Sequence, residues 1–346
     1  MIVSQKIARH CKVSPLCIRV LTHCSTILFC LSINVRAQPL QWQMPLVNEA
    51  QNFQTQLAIN FSQQVKKATN NRLIISTYPE GSLFKGEQIF GAVRNNLVPI
   101  GARLISALDH ESVMLQLDAL PFLAKTYTEA FNLYKASKGP LEKLLKAKGV
   151  KLLYAVPWPA QGFYSRQKIQ DLADFQDKTF RPYNQLTSIF GEKLGLTPII
   201  MPLSKVPNAL RKKQLDFLFG SPLSADKWQL PKYFSHWYDI QAWLPKEMVV
   251  VNINAWNMLS VDDQKAVVAI AKNIEGLGWA NSKRESDRAK QYLINSGVKV
   301  ETLTFELQRK IEVVGLSVVQ QWLTKIGDQG RYLLERYINL SGQPAK

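Results

Sequence analysis

The chain has 346 residues, enough for two ordinary domains, and its 46% hydrophobic and 20% charged residues are a normal balance for a globular protein. The formal charge is +17, of which the first 37 residues supply five cations and no acid, leaving +12 for the remainder. All four cysteines, Cys11, Cys17, Cys24 and Cys30, lie in those first residues, which excludes thiolate catalysis and cysteine-ligated metal from the rest and suits an oxidising compartment.

The N-terminus reads as a secretory signal peptide over residues 1–37. Lys6, Arg9, Lys12 and Arg19 form a basic lead, residues 20–35 are mostly apolar, and Val35-Arg36-Ala37 precedes a cleavage point that leaves Gln38 first. About sixteen residues with several polar ones is short for a membrane span. A strand over 40–46 follows. Phe53, Leu57, Phe61 and Val65 recur every four residues and predict a helix from about Glu49 to Asn70-Asn71. Strands are predicted over 73–78, 97–103 and 150–156, with a helix over 87–95 and two helices over 128–148 broken at Gly139-Pro140.

Residues 163–221 continue the alternation. Strands over 179–181, 198–201 and 215–219 are separated by helices over 187–194 and 204–213, the second capped by Ser204. Strand–helix alternation means a parallel sheet with helices on its faces, and ligands bind beyond the carboxyl ends of its strands. Arg181, Asn184 and Ser221 fall at such ends. Stretches 234–243 and 248–253 lead back towards the first half. Ser260 caps a helix that runs to about Ser296 and reaches about 50 Å, longer than one small lobe. A strand over 298–303 and helices over 304–326 and 330–340 finish the chain.

Several of these stretches resemble the solute-binding proteins of tripartite ATP-independent periplasmic (TRAP) transporters, in the dicarboxylate-binding-protein-like branch. The run DLADFQDKTFR from Asp171 to Arg181 looks like the family's L-x-D-x-x-G-x-K-x-R segment, and Tyr183-Asn184 follows it. Leu194-Gly195 with Pro198, Ala209-Leu210 and Leu215-Asp216 keep the family spacing. Residues 78–83, Ala92-Val93-Arg94, residues 120–123, Asn252 with Ala255-Trp256 and Leu259, and Gly278-Trp279 extend the likeness over nearly everything after residue 40. Lys205, Phe217 and Gln176-Asp177 depart from the common pattern. The resemblance implies an α/β, two-lobed periplasmic binding protein fold, with a ligand cleft between lobes and a long helix spanning both. Lobe 1 is expected to hold 38–159 plus about 246–285, and lobe 2 160–245 plus about 286–346.

The family's carboxylate-clamping arginine falls at Arg181, whose planar guanidinium can give a carboxylate two parallel hydrogen bonds. Asn184 matches a polar ligand contact of relatives, or is a turn asparagine after Pro182. Ser221 follows the strand where relatives often carry a ligand-touching Asn or Ser. Arg166 and Arg103 are further cations near strand ends, each alternatively a rim salt-bridge residue. The position where some relatives carry a second arginine aligns with Gln161. Trp158 and Phe219 either wall the pocket or pack in the core, and Trp243 is placed near the crossover, closing the cleft.

Catalytic signatures are sparse. There is no G-x-S-x-G elbow, no phosphate loop and no G-x-G-x-x-G turn. Asp109-His110-Glu111 are three neighbours that do not converge on one ion, so no metal and no cofactor are expected. The expected function is capture of a small organic acid in the periplasm and delivery to TRAP membrane subunits, without enzymatic turnover. The alternatives are a ligand-sensing partner of a membrane receptor, or a hydrolase or lyase using Asp109, His110 or His236. A nucleic-acid partner is not expected, because the cations sit at helix ends and no recognised motif is present.

Overall fold

A computed structural model describes residues 38–201 and 203–342; the expected signal peptide lies outside the described residues. The first part of the chain runs β1 (Leu40–Pro45), α1 (Phe53–Ala68), β2 (Leu73–Tyr78), α2 (Gly86–Arg94), β3 (Ile100–Leu104), α3 (Tyr127–Ala147) and β4 (Val150–Pro157). The second runs β5 (Gly162–Ser165), β6 (Thr179–Arg181), α4 (Gln185–Lys193), β7 (Thr197–Pro198), α5 (Val206–Arg211), β8 (Phe217–Gly220), α6 (Ser224–Lys227) and β9 (His236–Tyr238). Then come β10 (Lys246–Asn252), α7 (Ile253–Asn257), α8 (Val261–Asn295), β11 (Lys299–Glu301), α9 (Phe305–Ile326) and α10 (Asp328–Ser341).

Two sheet regions result. In the first, β1 pairs in parallel with β2, and β3–β10–β4 form an antiparallel set with β3 lying beside β1. The second is six-stranded in the order β11-β9-β5-β8-β6-β7. A parallel pair needs a crossover, and α1 supplies the one between β1 and β2. Asn52 accepts the N–H of Gln54 to cap it, and Phe53, Leu57, Phe61 and Val65 turn to the core.

The helix expected to break at Gly139-Pro140 is continuous through Pro140. An interior proline costs about 3 kcal/mol. Burying Leu141 and Leu145 beyond it stabilises the helix by about 1.5–3 kcal/mol each, enough to offset that cost. A reciprocal cap between Thr126 and Glu129 fixes its start. The Ser204 cap does not form: a 3-10 turn over Leu203–Lys205 precedes α5, whose first turn carries Pro207.

The 35-residue α8 joins the two sheet regions. Its Val267, Ile270, Ala271 and Ile274 pack with α1, β1 and β4, while Leu293 packs with Trp237 and Val298 beside the second sheet. Gly278 lies where a Cβ would collide with Val156, so only glycine allows this approach to β4. Ser260 accepts the N–H of Asp263 at 3.1 Å, and Asp263 is held in turn by Arg72 at 2.7 Å. The C-terminal helices touch both halves: α9 packs on α4 and α10 packs on α3.

Two extended segments connect the halves, 158–161 and 241–245, and they pair with each other. Trp158 donates its N–H to Pro245, Gln161 to Trp243, and Ala242 to Gln161. Gly162 closes this crossing, because a Cβ there would collide with the carbonyl of Tyr238.

Candidate functional site

Strand directions decide which residues meet. β6 and β8 are parallel and end at Arg181 and Gly220. β5 is antiparallel to β8, with Gly162 opposite Gly220 and Ser165 opposite Phe217. The carboxyl ends of β6 and β8 therefore coincide with the start of β5, where the chain crosses over. In the first sheet Lys246 pairs with Pro157 and Glu247 with Leu104, so β3 and β4 end where β10 begins, at the same crossing. The edges of both sheets thus carry Arg103, Trp158 and Glu247 on one side and Gln161, Arg181 and Ser221 on the other.

Arg181 has an unusual environment. Its Nη2 makes one long hydrogen bond, 3.4 Å, to the carbonyl of Met201, and its buried Nε has no partner among the described residues. Among the described residues no carboxylate pairs with it; the polar neighbour that acts on its charge is Tyr183. Desolvation lowers its pKa to about 10, so it remains charged at neutral pH. A partly desolvated guanidinium without a counter-ion has donors free for a guest anion.

Asn184 adds a donor beside it. Its Oδ1 accepts the N–H of Thr187 at 2.8 Å as the cap of α4, and that bond fixes the amide orientation. The Nδ2 is buried and unpartnered among the described residues. Turn residue and donor are thus compatible roles for one side chain. Ser221 is buried just past β8, and its carbonyl accepts the Tyr164 hydroxyl at 2.9 Å. Gln161 is tied into the crossing through its backbone and through Nε2 to Pro159 at 2.8 Å.

The aromatic candidates divide. Trp158 packs edge-on against Phe53, and its indole N–H donates to Glu247 at 3.2 Å. Phe219 is enclosed by Phe163, Phe180 and Phe190, so it belongs to the core of the second sheet. Trp243 is also buried against Phe190 and Phe219, while its N–H donates to the Tyr183 hydroxyl. It reaches the site through Tyr183 and not through its own face.

Arg166 is not with the others. It follows Ser165, at the far end of β5, where it donates to the carbonyl of Leu215 at 2.9 Å and lies over the Phe234 ring at 5.7 Å. The antiparallel direction of β5 removes it from the crossing. Arg103 is at the correct end, half-buried, with a buried Nε that has no partner among the described residues; desolvation lowers its pKa while Glu247, Glu87 and Asp109 oppose that shift. Glu247 near the start of β10 and Tyr154 within β4 were absent from the expected set: both are buried, and burial raises the pKa of both.

The catalytic alternatives find little support in the geometry. His110 is largely exposed, and neighbouring Glu111 is already bound by Arg94 and Lys148. Asp109 accepts the N–H of Gln185 at 2.7 Å, tying the first part of the chain to the start of α4. His236 stacks on Tyr238 and bonds Ser235. Among the described residues no group of three His, Cys, Asp or Glu could hold a metal ion, and no helix is long and apolar enough to cross a membrane.

Comparison with known proteins places this geometry in a family. Residues 46–325 match the model of bacterial extracellular solute-binding protein, family 7. A marine metagenome TRAP solute-binding protein specific for pyroglutamate is similar at 31% identity, covering 87% of this chain and 99% of that one, with a TM-score of 0.84. The Bordetella pertussis extracytoplasmic solute receptor DctP7, which binds pyroglutamic acid, is 31% identical over 86% of this chain and 99% of its own, with a TM-score of 0.83. The C4-dicarboxylate-binding periplasmic protein DctP of Vibrio cholerae is 24% identical, covering 79% of this chain and 82% of its own. Two sheet edges that meet at one crossing, a helix joining both halves and a match over most of the length lead to one conclusion: the chain belongs to family 7 of the bacterial extracellular solute-binding proteins, the solute receptors of TRAP transporters.

Proposed function

We propose that this receptor takes its guest by the carboxylate, with Arg181 as the clamp, and delivers it to the membrane subunits of its transporter. The observation that carries the reading is the Arg181 guanidinium: half-buried with its Nε shut off from water, charged, without a carboxylate partner among the described residues, and at the end of β6 that meets the crossing. A guest carboxylate supplies the missing counter-charge. Asn184 Nδ2 adds a neutral donor, and Ser221 and Gln161 border the same edge. Arg103 and Trp158 enclose the guest from the first sheet.

Closure follows from the same layout. The lobes, 38–159 with about 246–285 and 160–245 with about 286–346, hinge on the paired segments 158–161 and 241–245. A guest touching both edges stabilises the closed form by its extra contacts there. The reading has no covalent step, since among the described residues no nucleophile–base pair borders Arg181. The leader over 1–37 directs the chain to the periplasm. Relatives at about 31% identity bind pyroglutamate, which makes it the first guest to test. Calorimetric titration with pyroglutamate and succinate is expected to give saturable binding that Arg181→Ala abolishes. Undiminished binding by that variant would remove Arg181 from the role.

A further inference from the structure

Side chains of the two halves also reach for each other across the cleft edge. Glu49 lies in the loop after β1 and accepts a hydrogen bond from Lys227 Nζ, in α6 after β8. Asp109 lies a few residues past β3 and accepts the N–H of Gln185, the first residue of α4 after β6, at 2.7 Å. Gln116 Nε2 donates to the Gln185 side-chain oxygen at 3.3 Å, so the first half holds Gln185 twice. Glu49, Asp109, Gln185 and Lys227 all follow carboxyl ends of strands, two from each sheet region, on the edges that meet at the crossing.

Neither bridge lies at the hinge itself. The order β1, β3, β10 sets the strand before Glu49 two away from β10, and the order β5, β8, β6 sets the strand before Gln185 two away from β5. Neighbouring strands are about 4.8 Å apart, so each bridge has one end about 10 Å from the hinge. A displacement of about 2 Å breaks a hydrogen bond, which at that radius is a rotation of about 11°. Opening therefore parts both bridges, whereas the N–H of Phe122, donated to Ala242 within the crossing at 2.6 Å, can persist. The bridges differ in kind. Lys227 and Glu49 form a partly exposed ion pair, screened by solvent. Asp109 sets a carboxylate on the N-terminus of α4, where the helix dipole favours negative charge. That helix is the one capped by Asn184, three residues after Arg181.

We propose that Glu49 and Asp109 are positioning residues that hold the jaws together at two points of the cleft edge and set how long a guest stays, without touching it. This rests on the closing-lobe reading. A guest leaves only after both bridges part, and their contribution to the closed form is common to every guest. Removing them speeds release by one factor for all guests. It does not slow entry, because guests enter the open form.

The test has one arm without guest and one with it. From residue 38 onward the chain has no cysteine, so Lys67→Cys in α1 and Lys193→Cys in α4 can be spin-labelled specifically. Pulsed dipolar spectroscopy without guest is expected to show a closed population that Glu49→Ala with Asp109→Ala depletes, lowering the closed-to-open ratio about 3- to 50-fold, the range for one exposed ion pair and one hydrogen bond together. Stopped-flow fluorescence with pyroglutamate and with succinate is expected to show release faster by that same factor for both probes, and entry not slowed. Lys227→Glu is expected to speed release, and Lys227→Glu with Glu49→Lys to restore it to within about twofold of wild type, a rescue that a merely structural role would not give. Melting curves check that the variants fold. Superimposable distance distributions in wild type and the folded double-alanine variant, or no rescue by the charge exchange, would overturn the inference while leaving Arg181-dependent binding intact. Undiminished binding by Arg181→Ala, with the distance change still present, would instead bring down the carboxylate reading alone.

Discussion

Replacing Arg181 by methionine keeps much of the side-chain volume and removes the charge. Among the described residues Nε is unpartnered and Nη2 has only the 3.4 Å bond to Met201, so a bound carboxylate gains two charge-assisted hydrogen bonds with little competition. Each is worth about 1.5–3 kcal/mol, and their loss corresponds to about 10²- to 10⁴-fold in Kd. Arg181→Lys keeps a point charge but cannot form the fork, so a loss of about 10- to 100-fold is expected. The free protein should behave in the opposite way. A desolvated cation without a carboxylate partner does not support the fold, so Arg181→Met is expected to melt at or above the wild-type temperature. Calorimetry reads the first effect, and scanning calorimetry with and without ligand reads the second, including disappearance of the ligand-induced rise in Tm. Binding by Arg181→Met within threefold of wild type would refute the clamp. A ligand-free Tm several degrees lower would refute the claim that this cation is held for the guest.

The pH dependence follows from the same group: desolvation brings its pKa down to about 10, so affinity is expected to be level from pH 6 to 9 and to fall about tenfold per pH unit above 10. Asp118 and Lys246 form a buried pair at 3.7 Å, reinforced by the Lys246 N–H donating to Asp118 at 2.7 Å. Asp118→Ala strands the ammonium and should cost about 3–5 kcal/mol in denaturant unfolding. Asp263 is held below the ordinary carboxyl range chiefly by the hydrogen bond from Arg72. Its contribution is present above the unfolded-chain pKa and is lost as pH falls through the lower folded value, so the Tm gap between wild type and Asp263→Asn at pH 7 should narrow below about pH 4.

Much of the fold was legible because local signals agreed with tertiary packing. The four-residue recurrence of Phe53, Leu57, Phe61 and Val65 and the Ser260 cap both appear where the pattern puts them. The break predicted at Pro140 did not appear, because burial of the residues beyond it outweighs the missing donor. Arg181 was legible as a cation at the end of a strand, while its proposed role came from the resemblance to the family. Arg166 had the same local appearance and a different fate, because which end of the sheet a strand end occupies depends on strand direction. Glu247 was missed because β10 starts earlier than its apolar run suggests. The only signal was a pair of charges, Lys246-Glu247, heading a run of buried residues.

The sequence by itself determined the alternation of strands and helices, the long connecting helix and the family, since periodicity, caps and motif spacing are properties of neighbouring residues. Tertiary structure alone decided that Phe219 is core, that Arg166 lies away from the crossing, and that Tyr154 and Glu247 share a face near it. Those facts depend on which strands pair and in which direction, and backbone hydrogen bonds between distant segments set that pairing.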